Sequence, residues 1–79
     1  MSPTVFRSGP FRFYFFSREE RRIHVHVQCM DGEANFWLEP EVALAQNFGL
    51  TAQQLRAAYS LVVDHHDVIR DAWFGHFGS

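Results

Sequence analysis

In the stretch Ile23-His24-Val25-His26-Val27-Gln28-Cys29 apolar and polar residues alternate without a break. A period of two is the side-chain period of a β-strand. It obliges Ile23, Val25, Val27 and Cys29 to face a core, while His24, His26 and Gln28 share the opposite face. The same pattern runs through Phe11 to Phe16, with Phe11, Phe13 and Phe15 on one side and Arg12 and Tyr14 on the other. It returns in Glu33 to Leu38, where Ala34, Phe36 and Leu38 oppose Trp37. Thr4 to Ser8 is a further β-prone run. Gly9-Pro10 and Asp31-Gly32 are turn pairs, the second a hairpin signal whose glycine is free to take a positive φ. The spacing predicts an antiparallel meander of three to four strands.

After Thr51 the period changes. Leu55, Tyr59, Val62, His66, Ile69 and Trp73 recur at alternating four- and three-residue intervals, one face of a helix. Arg56, Ser60, Asp64, Asp67 and Asp71 fall on the opposite, solvated face. Thr51 with Gln54 has the form of a capping box, which satisfies two orphan amides at a helix start. One long C-terminal helix, from about Ala52 to Phe77, is predicted to lie across one face of the sheet. Pro40 and Gly49 bracket a short helix, roughly Glu41 to Asn47, for which an irregular strand extension is the alternative. The fold class is α+β.

Seventy-nine residues make one domain. A chain of this size buries only about 60% of its unfolded surface, so its core has to be dense. Nine phenylalanines and a hydrophobic share of 47% meet that demand and exclude a disordered chain. Cys29 is the only cysteine, which excludes a disulfide-stapled miniprotein. The start of the chain lacks the charged-then-apolar layout of a signal peptide, and no apolar run approaches the ~18 residues of a membrane span. The expected location is the cytoplasm, with no membrane partner. A net charge of −2 gives no global pull toward nucleic acid. All seven basic residues, however, are arginines, each a planar fork able to clamp a carboxylate or a phosphate.

His24 and His26 are the first candidates for chemistry. Residues i and i+2 of a strand lie roughly 7 Å apart on a common face. Two imidazoles so placed suit a metal, or an acid–base pair. A metal needs further ligands, from among His65, His66, His76, Cys29 and nearby acids. Cys29 points to the other face, His65 and His66 diverge by about 100° around a helix, and neither an HExxH nor a paired CxxC motif is present. No metal and no cofactor is therefore expected. The arginines favour an anion instead. Arg7 and Arg12 flank Gly9-Pro10, and Arg18, Arg21 and Arg22 precede the histidine strand. In an acid–base nuclease, His24 and His26 would be the acid and base and an arginine would stabilise the phosphorane. Arg12, Arg22, Tyr14 and Trp37 would bind the ligand, and Tyr14, Phe16 and Trp37 offer a stacking platform or a partner interface. The plainer alternative is two exposed strand histidines without a reactive role, beside a connector neutralised by Glu19 and Glu20. Trp73 reads as core or interface, and His66 as a satisfied, partly buried histidine.

Pro3-Thr4-Val5-Phe6-Arg7, Phe13-Tyr14-Phe15-Phe16-Ser17, His24-Val25-His26-Val27, Ala34-Asn35-Phe36-Trp37-Leu38 and Ile69-Arg70-Asp71-Ala72-Trp73 together resemble the small prokaryotic proteins of domain of unknown function 4160. The resemblance covers essentially the whole chain. It departs at Arg22-Ile23, where the family carries two prolines before the first histidine. His24, His26 and Arg7 match its motif positions. The family's members are often encoded beside a second small protein, in arrangements like toxin–antitoxin pairs. The resemblance thus implies a toxin-like component, with a cognate partner from an adjacent gene and RNA as a candidate ligand. The competing expectation is a non-enzymatic antitoxin or adaptor that binds its partner through the aromatic sheet face or the helix. A homo-oligomer is compatible with either.

Overall fold

Five strands follow one another across a single antiparallel sheet in chain order: β1 (Thr4–Ser8), β2 (Phe11–Tyr14), β3 (His24–Cys29), β4 (Gly32–Trp37) and β5 (Ala43–Phe48). Two helices, α1 (Ala52–Asp64) and α2 (His66–Phe77), then cover one face. The structure, a computed structural model, describes residues 4–16 and 22–78. Of the basic cluster before the histidine strand, Arg18 and Arg21, with Glu19 and Glu20, lie outside the described residues.

The alternation places each strand's faces as expected. Phe11, Phe13, Phe15, Val25, Val27, Ala34, Phe36 and Leu38 are buried against Ala58, Val62, Ile69 and Trp73 of the helices. The hairpin turns hold more detail than the sequence offered. Gly9, at φ +54°, supplies the left-handed residue of the β1–β2 turn. The β3–β4 turn sits one residue earlier than Asp31-Gly32, because Cys29 pairs with Gly32. Gly32 is required for a different reason from a positive φ: a Cβ there would collide with the Phe48 carbonyl of β5.

The segment read as a short helix is strand β5, the strand extension held as the alternative. Ala, Leu, Glu and Gln give it good helix propensity, but β4 has a second edge whose backbone groups need partners, and that need outweighs a weak local preference. Both outer strands carry one extra residue. β1 pairs Thr4 with Tyr14 and then Phe6 with Phe13, so that Val5 bulges. β5 pairs Gln46 with Asn35 and then Leu44 with Phe36, so that Ala45 bulges. The bulge in β1 puts Thr4 and Arg7 on one face, although an odd spacing would set them on opposite faces of a regular strand.

The single long helix is two. The Thr51–Gln54 capping box is present, with the Gln54 amide donating to Thr51 Oγ1 at 3.1 Å and the Thr51 amide to Gln54 Oε1 at 2.8 Å. Gln54 Nε2 donates in turn to Asp31 Oδ2 at 2.7 Å, tying the helix start to the β3–β4 turn. At His65 the backbone leaves helical values (φ −107°, ψ 20°). There both the backbone N–H and the ring Nδ1–H of His65 reach the Leu61 carbonyl, at 3.0 and 2.9 Å. A side chain that competes for the carbonyl one turn back bends a helix, and the His65 ring is pinned by stacking on Phe6 at 4.3 Å. The apolar stripe is accordingly Ala58, Val62, Ile69 and Trp73, all buried. Tyr59 sits on its margin, 44% exposed. His66, half-buried, donates from Nε2 to the Leu38 carbonyl at 3.2 Å.

Trp73 is 1% exposed. It meets Phe15 edge-on at 5.4 Å and lies 4.4 Å from Phe77. Trp73→Ala should cost about 3–5 kcal/mol in urea unfolding, the range for removing a large buried aromatic. Tyr59→Ala should cost less than about 1 kcal/mol, as an exposed substitution. Equal costs would contradict the placement of the stripe.

Candidate functional site

The sheet face turned away from the helices carries three cross-strand rows. Register sets Arg7, Arg12, Gln28, Glu33 and Phe48 in the first, and Thr4, Tyr14, His26, Asn35 and Gln46 in the second. The third holds His24, Trp37 and Ala43. Strand alternation sorts each strand's residues onto two faces, and the pairing register puts His24, His26, Tyr14 and Trp37 on a common one as neighbours.

Their rings form a continuous file. The Arg12 guanidinium lies over the Tyr14 ring at 4.6 Å. Tyr14 stacks on His26 at 5.2 Å, His26 meets His24 at 5.3 Å, and His24 meets Trp37 at 5.8 Å. The Arg22 guanidinium lies over Trp37 at 4.4 Å. A guanidinium over an aromatic face is held by the ring quadrupole, so the file is capped by a cation at each end. Polar contacts fix the caps: Arg12 Nε donates to Thr4 Oγ1 at 2.8 Å, and Arg22 Nε to the Glu39 carbonyl at 2.9 Å. Phe16, 57% exposed, stands edge-on to His26 at 6.1 Å.

The two histidines differ in setting, and they are not the exposed pair of the plainer reading. His24 is only 7% exposed. β2 ends at Tyr14, and Trp73 reaches the His24 ring at 5.1 Å. The His24 Nδ1–H donates to the Arg22 carbonyl at 2.9 Å. His24 thus joins the helix-side core to the open face. His26 is half-buried between Tyr14 and His24. Arg7 stands apart from both. It lies in the row of Gln28, four residues along β3 from His24, about 13 Å at the strand rise. The structure therefore brings together His24, His26, Tyr14, Trp37, Arg12 and Arg22, and places Arg7 at the far end of the face. Among the described residues no three His, Cys, Asp or Glu side chains are grouped to hold a metal. Cys29 packs against the core, as its phase requires.

One contributor escaped the sequence. Glu33 accepts a hydrogen bond from the Tyr14 hydroxyl at 2.8 Å across two strands. The turn position decides this: a turn at Asp31-Gly32 pairs Glu33 with Met30, whereas the observed turn pairs it with Gln28, within reach of Tyr14. Burial pushes the Tyr14 phenol up to about 12 from its ordinary 10.0. The hydrogen bond to Glu33 and the charge of that carboxylate add to the rise, while the nearby Arg12 opposes it.

Because the folded value lies above the unfolded one, the stability gained by keeping Tyr14 protonated is fully present below pH 10. It is lost as pH rises from 10 through about 12. Ultraviolet titration of tyrosinate should show a transition near 12 that Tyr14→Phe removes and Glu33→Gln lowers. Persistence of that transition in Tyr14→Phe would refute the assignment.

Against known proteins, the family model described as domain of unknown function (DUF4160) matches residues 10–74. No curated protein and no solved structure matches the chain. The matched span takes in β2 to β5, both histidines, both cationic caps and Trp73. The chain belongs to the DUF4160 family.

Proposed function

We propose that the open sheet face binds single-stranded RNA and that the protein is the toxin-like member of a toxin–antitoxin pair, working with a cognate protein from an adjacent gene. The observation that carries this reading is the ring file of Tyr14, His26, His24 and Trp37 with an arginine at each end. Single strands are held by the combination of stacking surfaces for bases and cations for the backbone. Arg12 and Arg22 contribute the forks, and Phe16 and Trp37 the accessible ring surface. His26 meets the ligand. His24, buried and bonded to the Arg22 carbonyl, positions His26 and Trp37. The protein's overall charge of −2 makes this attraction local to the face.

Anisotropy of a labelled single-stranded RNA oligonucleotide tests the reading. Contacts from the two arginines give a log–log salt slope of about −1.4, at ~0.7 per phosphate. Trp37→Ala should weaken binding by about tenfold, the worth of one stacked base. Overexpression should slow growth, and His26→Ala should relieve it. Salt-indifferent binding, or growth arrest undiminished in His26→Ala, would count against the proposal.

A second reading draws on a different place. Phe36, Leu44, Leu55 and Tyr59 line an apolar groove of about 220 Å³ beside β5. That suits an adaptor gripping a protein partner. Capture of the adjacent gene's product without RNA binding, weakened by Leu44→Asp and indifferent to His26→Ala, would favour it.

A further inference from the structure

Residues 42–55 carry no charge, although charged residues make up 20% of the chain. That stretch contains β5, the last strand of the sheet, whose outer edge pairs with no described strand. Four of its six residues are exposed, Leu44 and Phe48 among them at 46% and 57%. An edge presents a row of backbone donors and acceptors, and natural sheets guard theirs with charges, prolines or bulges. The opposite edge, β1, carries Arg7. β5 has only the bulge at Ala45, and that bulge gives the edge a symmetry. Ala43 and Phe48 pair with Trp37 and Glu33 on the open face, while Leu44 and Asn47 pair with Phe36 and Ala34 on the helix side. Five residues apart, Ala43 and Phe48 would fall on opposite faces of a regular strand. The extra residue returns them to one face.

We infer that this edge joins a second copy of the chain, β5 against β5 in antiparallel pairing, about a two-fold axis between Ala45 and Gln46. The inference is independent of the RNA reading, and it gives the apolar groove beside β5 to a second copy instead of a foreign partner. The centred register sets Phe48 over Ala43 of the second copy, a large side chain against a small one. It sets Leu44 against Asn47 of the second copy, so that open face meets open face and helix side meets helix side. A copy of the same edge brings no charge to it, and no like charges meet along the strand pair. Asn47 enters the seam without losing hydrogen bonds, because its amide donates to the Leu50 carbonyl and accepts from the Leu50 N–H, both at 3.0 Å. A stable interface takes about 600–800 Å² from each partner, more than a strand edge of about 20 Å supplies alone. α1 supplies the rest. Leu44 lines the groove with Leu55 and Tyr59 of α1, and Tyr59 and Val63, both 44% exposed, lie one turn apart on that helix. Arg56 is the one charged residue of the groove, and its stem can cover apolar surface while its head stays in water. Because like faces match, the axis stands perpendicular to the sheet and brings the two α1 helices to the same side, one on each flank of the seam.

Sedimentation velocity of the full chain over a range of concentrations tests the interface. A species of twice the chain mass should accumulate as concentration rises through the micromolar range, as expected at the small end of stable interfaces. Leu44→Asp places two carboxylates beside the seam and should weaken dimerisation more than tenfold. Arg7→Asp, at the opposite edge, should leave it unchanged. Circular dichroism checks that each variant keeps the sheet. The axis is tested separately, because the proposed register sets Gln46 about 6 Å from its own copy, within disulfide reach. Gln46→Cys, combined with Cys29→Ala, should form an intermolecular disulfide on mild oxidation, and Arg7→Cys in the same background should not. A chain that stays monomeric at millimolar concentration overturns the inference, and so does a dimer indifferent to Leu44→Asp. A monomer that captures the adjacent gene's product through Leu44 overturns it too, in favour of the adaptor reading.

Discussion

Two short helices can cover only one face of a five-stranded sheet, and this unequal coverage governs the rest of the molecule. On the covered side the solution is ordinary. Phenylalanines of β2, aliphatics of β3 and β4 and a stripe from Ala58 to Trp73 make one dry core. On the other side the strands must end in groups that tolerate water and one another. The chain meets that need with lateral contacts. Arg12 bonds Thr4, Tyr14 bonds Glu33, Asn35 donates to Gln46, and the rings between them stack. The face proposed to bind ligand is therefore ordered before any ligand arrives, which reduces the entropy lost on binding.

The two faces are not independent. Trp73 packs on Phe15 within the core and touches the His24 ring. His24 touches His26 and Trp37 on the open face. A side chain of α2 is thus two ring contacts away from the surface proposed to meet RNA. The bend at His65 redirects the chain into α2, on which Ile69 and Trp73 are buried.

The sheet's faces were legible from the sequence because period-two alternation fixes them without knowledge of neighbours. That sufficed to group His24, His26, Tyr14 and Trp37 once the strands were paired. What alternation cannot supply is position along the strand. The β3–β4 turn lies one residue from the obvious Asp-Gly pair, and the Tyr14–Glu33 bond depends on that shift. The β5 segment reads as a helix in the sequence because Pro40 and Gly49 bracket it, and only the unfilled edge of β4 makes it a strand. The break at His65 and the burial of His24 both arise from side chains far away in sequence, Phe6 and Trp73. A period cannot report such contacts. Arg7 was legible as a cation, and the Gly9-Pro10 turn sets it opposite Arg12; what no residue pattern announces is the bulge at Val5, which brings Thr4 onto the same face.

Gln54 closes the capping box through Oε1 and holds Asp31 through Nε2. As a cap, glutamate would serve as well as glutamine. Beside Asp31 it would not, since a second carboxylate would replace the donor. One amide thus couples two positions 23 residues apart and leaves a mark on how such sequences can drift. Glutamate at position 54 would keep the cap but set two carboxylates side by side while Asp31 stays, so that exchange is easiest where the turn carries no acid.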